Sequence, residues 1–239
     1  APIRCNQNNL GSAISSIAQS YAQPSFDAGE WIASRYMPTP TIIEAAKALY
    51  RGHRVEDITR NDAQAINLSR TTDALNRIIE HSKASHRKSI CFVTGVPGAG
   101  KTLAGLNLSV ERQRADQGEH AVFLSGNLPL VEVLQEALAR DKCQNSHLSK
   151  TAALRMVKDF IQLILHFRDD AILTAAPPIE KVAIFDEAQR AWTREQLASF
   201  MKTKKGIFNF QQSEPAFLIS IMDRHPDWAV IICLVGGGQ

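Results

Sequence analysis

The chain has 239 residues, 44% hydrophobic and 21% charged, with a formal net charge of +3. That balance suits one sizeable core and excludes a disordered or fibrous chain, while the small charge neither requires nor excludes a nucleic-acid partner. No run approaches the roughly 18 apolar residues of a membrane span and no secretory leader opens the chain, so no membrane partner and a cytoplasmic location are expected.

Residues 1–30, rich in Asn, Gln, Ser and Ala, read as a weakly specified leader with a helix-like patch at Ile14, Ile17 and Ala18. A helical extension is expected over 31–85. In "MPTPTIIEAAKALYRG", Pro38 and Pro40 stop an extended piece, Thr41 and Glu44 have capping-box spacing, and Gly52 supplies the stop. A second helix is predicted from Asn61 or Asp62 through Ile66, Leu68, Leu75, Ile78 and Ile79, with the polar stretch 69–73 able to break it.

Over 86–239 the pattern becomes short apolar runs, at 90–94, 121–125, 182–185 and 229–235, separated by helical segments. The intervals are too long for hairpins, which predicts crossover connections and an α/β fold with a mostly parallel sheet flanked by helices. Leu154, Val157, Phe160, Ile161, Ile164 and Leu165 recur at three- and four-residue spacing and predict a core-facing helix. Cys5, Cys91, Cys143 and Cys233 form no C-x-x-C pair and no zinc spacing; Cys91 and Cys233 lie in apolar runs, as small hydrophobes suited to a reducing compartment.

Chemistry concentrates at the ends of two runs. "FVTGVPGAGKT" sets Gly95, Val96, Pro97, Gly98, Ala99, Gly100, Lys101 and Thr102 in the G-x-x-x-x-G-K-[ST] frame, between a predicted strand and a predicted helix. Glycines let successive backbone N–H groups turn toward a phosphate, Lys101 brings a point charge to the β and γ phosphates, and the Thr102 hydroxyl suits Mg²⁺. A second run ends in "VAIFDEAQRAW". There Asp186 would hold Mg²⁺ through water and Glu187 would orient or deprotonate the attacking water. The plainer reading of that pair is the solvated start of a helix.

The segments "FVTGVPGAGKTLAGLN", "FLSGN", "IFDEAQRAW" and "LVGGGQ", in this order, resemble the Schlafen-type (group 3) DNA/RNA helicase domain, a branch similar to superfamily 1 helicases. The resemblance extends upstream through "PTPTIIEAAKALY" and covers residues 30–239. It implies a RecA-like P-loop ATPase, the first half of a two-domain motor, with ATP as substrate and single-stranded DNA or RNA as partner. It also implies that Gln239 senses the γ-phosphate, that Gln189 relays that state, and that Gln64, in "RNDAQAINL", reads the adenine edge. An exposed polar position is the other reading of Gln189, and a surface helix residue that of Gln64. "LSGNLPL" is similar to the segment that touches nucleic acid, with Ser125 and Asn127 as phosphate partners; a helix-capping loop with Pro129 in the first turn reads equally well.

Three features have structural readings of their own. The basic run "KTKKG" (Lys202, Lys204, Lys205) reads as a solvated loop or a nucleic-acid contact, and Trp192 as a partly buried aromatic or a base-stacking platform. "MDRHPDW", with Asp223, Arg224 and His225, reads as a charged helix end. In motors of this type a second RecA-like domain supplies arginines to the γ-phosphate, and the sequence is expected to break off between the two halves. The expected activity is slow Mg·ATP hydrolysis without unwinding. The alternative is an ATP-operated switch or interaction module. A small-molecule kinase fits less well, because adjacent Asp and Glu suit water activation.

Overall fold

The computed structural model describes residues 6–20, 29, 40–53, 62–115 and 120–237, with the backbone alone at 62–65 and 114–115. It divides into two compact units, Ala1–Pro38 and Thr39–Gln239. In the first, α1 (Leu10–Ser20) exposes Leu10, Ile14 and Ile17 to solvent.

The second unit opens with α2 (Ile42–Arg51). The predicted capping box forms: Thr41 Oγ1 accepts the Glu44 N–H at 3.3 Å and the Glu44 carboxylate accepts the Thr41 N–H at 2.8 Å. Gly52 ends the helix at φ 99°, a left-handed conformation that suits glycine. Next, α3 (Asp62–Ala84) runs unbroken through residues 69–73. Two polar residues of that stretch are absorbed by the helix: Thr72 is buried and the Thr71 hydroxyl donates to the Asn67 carbonyl at 2.8 Å.

Five strands follow: β1 (Lys88–Gly95), β2 (His120–Ser125), β3 (Ile161–Leu163), β4 (Glu180–Phe185) and β5 (Ala229–Gly236). All pairings are parallel and the order across the sheet is β1-β5-β4-β2-β3. The crossovers are α4 (Lys101–Ala115), α5 (Leu128–Asn145) with α6 (Lys150–Lys158), α7 (Ile164–Leu173), and α8 (Arg194–Lys205) with α9 (Glu214–Met222). Strand residues alternate between two cores. Phe123, Ile184 and Ile232 pack with α2 to α6, while Leu124, Ala183 and Ile231 pack with α7 to α9.

The expected helix through 154–165 is corrected: α6 ends at Lys158 with Asp159 as its C-cap, β3 follows, and α7 begins at Ile164. The outer edge of β2 demands partners, and the chain supplies them. Phe123 N–H donates to Phe160 O at 2.7 Å, and Phe123, Leu124 and Ser125 pair with Ile161, Gln162 and Leu163. Ile161 and Leu163 are buried with Gln162 half-buried between them, so the same apolar run satisfies period 2 as well as period 3.6. A second correction concerns "KTKKG", which is the last turn of α8 and its C-cap, Gly206, rather than a loop; cations there face the negative end of the helix. Among the described residues, no helix is long and apolar enough to cross a membrane.

Gly105 lets α4 lie close on the sheet. A Cβ at that position would stand 2.8 Å from Leu234 Cδ1, 3.0 Å from Ile184 Cγ2 and 3.2 Å from Phe123 Cε2. Gly105→Val is therefore expected to destabilise the protein by about 1–3 kcal/mol through overpacking, read as a lower denaturant midpoint.

Candidate functional site

The carboxyl ends of β1, β5 and β4 meet where two predicted motifs converge. Past Gly95 the loop turns through Gly98 (φ 78°) and Gly100 (φ 84°), conformations in which a side-chain-bearing residue is strained. Ala99 N–H closes on Val96 O at 3.2 Å, and α4 begins with Ala104 N–H on Gly100 O at 2.9 Å. The amides of Lys101, Thr102 and Leu103 precede that first intrahelical bond, at the positive end of the helix dipole, which makes this turn an anion seat. Lys101 Nζ arches over the loop and donates to Gly95 O at 2.7 Å and Val96 O at 3.0 Å.

From β4 comes the acidic pair. Asp186 is 4% exposed, with its N–H donating to Leu124 O at 2.9 Å. Its carboxylate accepts the Thr102 hydroxyl at 3.1 Å, so the loop's last residue and the first acid after the strand touch although 84 residues separate them. Burial pushes the Asp186 carboxyl up to about 6, opposed by the Thr102 hydrogen bond and reinforced by the Glu187 charge.

Glu187 does not start a helix of the expected kind. It sits at φ 52°, ψ 42° and leads into a single 3₁₀ turn, Ala188–Arg190. Gln189 Nε2 donates to Glu187 Oε2 at 2.5 Å while Gly236 N–H donates to Gln189 Oε1 at 2.9 Å. One amide thus joins the acid after β4 to the end of β5, using both of its hydrogen-bonding ends. A Cβ on Gly236 would lie 3.0 Å from Gln189 Nε2 and would push that amide aside by a few tenths of an ångström. Arg190 Nε approaches the same Glu187 oxygen at 3.4 Å.

A cleft of about 310 Å³ is bounded by the phosphate loop, Glu187, Gln189, Gly236, Gly237 and, from the extension, Ile42. A second, of about 560 Å³, shares Thr102 and Glu187 with the first and runs past Asp186 to Ser125, Asn127, Arg190 and Trp192. Asn127 caps α5, accepting the Leu130 N–H at 3.3 Å, and the Ser125 hydroxyl accepts the Asn127 N–H at 3.2 Å. The capping reading of "LSGNLPL" is therefore what the geometry displays, with both side chains on the wall of the second cleft.

Trp192 is half-buried against Phe200, with ring centroids 5.3 Å apart, and Lys205 pairs with Asp169 at 2.6 Å. Asp223 caps α9, Arg224 binds the carbonyls of Ala171 and Thr174, and His225 Nε2 lies 2.9 Å from Glu180 O. Gln64 lies on α3, where only its backbone is described, and Gln239 falls outside the described residues. Ile42, Arg190, Gly236 and Glu214 are at the site without having been assigned by sequence reasoning. Ile42, Arg190 and Gly236 lie within the quoted segments "PTPTIIEAAKALY", "IFDEAQRAW" and "LVGGGQ", whereas Glu214 lies in none of them.

The donor set fits a magnesium-bound triphosphate. Among the described residues, no three of His, Cys, Asp and Glu converge on a metal position. One hydroxyl and one carboxylate are what Mg²⁺ commonly takes from protein when phosphate oxygens and water complete its octahedron.

The sign of the Asp186 shift gives a stability prediction. With a folded value near 6 against an ordinary 3.8, the native state holds the extra proton between those values, so stability falls as pH rises through that window. Without divalent cations, Asp186→Asn should stabilise the protein by about 3 kcal/mol at pH 7.5 and leave it nearly unchanged below pH 4, measured by denaturant unfolding.

The model of the Schlafen group 3 DNA/RNA helicase domain matches residues 88–239. No curated protein matches the chain. Among solved structures, the Hef helicase domain of Pyrococcus furiosus is similar at 15% identity and a TM-score of 0.43, over 78% of this chain. The match covers 35% of that protein, so the chain spans about a third of its length. With well over half of its residues matched by the family model, the chain belongs to the Schlafen group 3 DNA/RNA helicase domain family.

Proposed function

We propose that this chain is the ATP-binding and ATP-hydrolysing first motor domain of a DNA or RNA helicase or translocase. The observation that carries the proposal is the 3.1 Å contact between Thr102 and Asp186, which brings a phosphate-binding loop and an acidic strand end to one point. Lys101 would leave the carbonyls of Gly95 and Val96 for the β and γ phosphates, exchanging two dipoles for a full negative charge. Thr102 and Asp186 would hold Mg²⁺, which when bound neutralises charge on the phosphate oxygens.

Glu187 would take the proton of the attacking water, and Gln189 would hold its carboxylate in place while reporting to β5. Because Gly237 N–H reaches Gly95 O at 3.4 Å, the chain leaves β5 beside the phosphate loop, which supports Gln239 as γ-phosphate sensor. Gln64 as the adenine reader, single-stranded DNA or RNA over the second cleft, a second RecA-like domain as partner and a cytoplasmic location complete the proposal.

ATP hydrolysis by the complete protein, with and without single-stranded DNA and RNA, tests it. Glu187→Gln should lower turnover on the order of 10²-fold or more while nucleotide binding persists. Lys101→Ala should abolish binding itself. Stimulation by one polymer identifies the track. Nucleotide binding and turnover unaffected by either polymer would replace the motor with an ATP-operated switch built on the same residues. Unchanged turnover in Glu187→Gln would overturn the catalytic assignment.

A further inference from the structure

The 3₁₀ turn that carries Glu187 and Gln189 is fixed at both ends. At one end, Asp186 N–H is tied to β2 through Leu124 O at 2.9 Å. At the other, Glu214 clasps Trp192 twice: its Oε2 accepts the Trp192 N–H at 3.0 Å, and its own N–H donates to Trp192 O at 3.0 Å. Behind the clasp stands Arg168 of α7. Its Nη1 donates to Glu214 Oε1 at 3.2 Å, and its guanidinium lies over the rings of Trp192 and Phe200, 5.2 and 4.6 Å from their centroids.

This assembly is poorly explained by stability. Arg168 is 0% and Glu214 3% exposed, and burying an ion pair commonly costs as much as the pair returns, so that apolar replacement is often neutral or stabilising. Arg168 Nε and Nη2 are buried and make no hydrogen bond among the described residues, which raises the cost. What the pair does secure is geometry. Glu187 holds a left-handed backbone at φ 52° and carries a side chain, a conformation that persists where the surroundings over-determine it. The bonds inside the turn, Arg190 N–H to Glu187 O at 2.8 Å and Ala191 N–H to Ala188 O at 3.2 Å, are local and partly exposed. The Trp192 clasp is the anchor downstream of them that reaches the core.

We infer that Arg168 and Glu214 are positioning residues for the hydrolytic step: by clasping Trp192 they hold the Glu187–Arg190 turn in its left-handed entry and so keep the Glu187 carboxylate in register with the phosphate cleft. The inference rests on the proposed ATPase reading. Neither residue lines the cleft at the phosphate loop, and both act through Trp192.

The test uses the full chain and two variants. Arg168→Met/Glu214→Gln removes both charges at similar volume and is expected to unfold at no lower temperature than the parent. Arg168→Lys alone keeps a cation beside Glu214 and the carboxylate that accepts the Trp192 N–H, guarding against loss of folding in the double variant. Turnover at saturating Mg·ATP should fall about tenfold in the double variant and less in the single one, with affinity for Mg·ADP within twofold of the parent. Hydrogen exchange at residues 188–192 should quicken while that at 93–102 stays as in the parent.

Wild-type turnover in a folded variant would overturn the inference, and so would a loss of nucleotide affinity that parallels the loss of rate, which marks a merely structural role. If the parent itself never hydrolyses ATP, the ATPase reading fails separately. Exchange then decides: unchanged protection at 188–192 overturns the clasp, and selective deprotection sustains it.

Discussion

A buried carboxylate that reaches across a strand is the constraint on which the rest of the site depends. The loop after β1 and the acid after β4 belong to strands separated by β5, about 10 Å apart at ordinary strand spacing. Their direct contact is made possible by the first turn of α4, which carries Thr102 over the end of β5 to Asp186. Everything between must be small. Gly236 ends β5 opposite Gly95, and its bare Cα admits the Gln189 amide that links β5 to Glu187. Parallel register, one hydroxyl and one glycine thus place three strand ends around a single cleft.

The same logic explains why the helices before the sheet matter to it. Arg51 of α2 forms a bidentate pair with Asp141 of α5, and Tyr50 stacks on Phe160 with ring centroids 5.6 Å apart. Arg112 of α4 is held by Asn76 and Glu80 of α3. The helix that presents the phosphate loop is therefore gripped from behind by α3, while α2 brings Ile42 to the cleft. The N-terminal end of α4 faces the cleft, and its flank is held by α3.

How much of this was legible in the sequence depended on whether the signal was local. The phosphate loop, the capping box at Thr41 and four strand runs rest on residues within a few positions of one another, and each lies where its pattern puts it. β3 was hidden because a three-residue strand inside an apolar stripe satisfies helical and extended periods together; only the unpaired edge of β2 decides between them. The plainer reading of Asp186 and Glu187, a helix start, rests on the preference of acids for that position, but Glu187 has a left-handed backbone and opens a 3₁₀ turn, which no local pattern marks. Arg168 and Glu214 carry no local signal. Nothing in "HFRDD" or "QSEPAF" marks an ion pair 46 residues apart in sequence.

Ile79, Leu75 and Ala46 are buried in the same cluster as Phe123, Ile184 and Ile232, yet all three precede the stretch that defines the family. The stretch that the family model matches and the stretch that closes the core are therefore different lengths of chain. A recombination event carrying only residues 88–239 into a new protein would arrive without the part of that cluster contributed by Ala46, Leu75 and Ile79. Its new host would have to supply two helices of similar apolar outline before the phosphate loop could be held still.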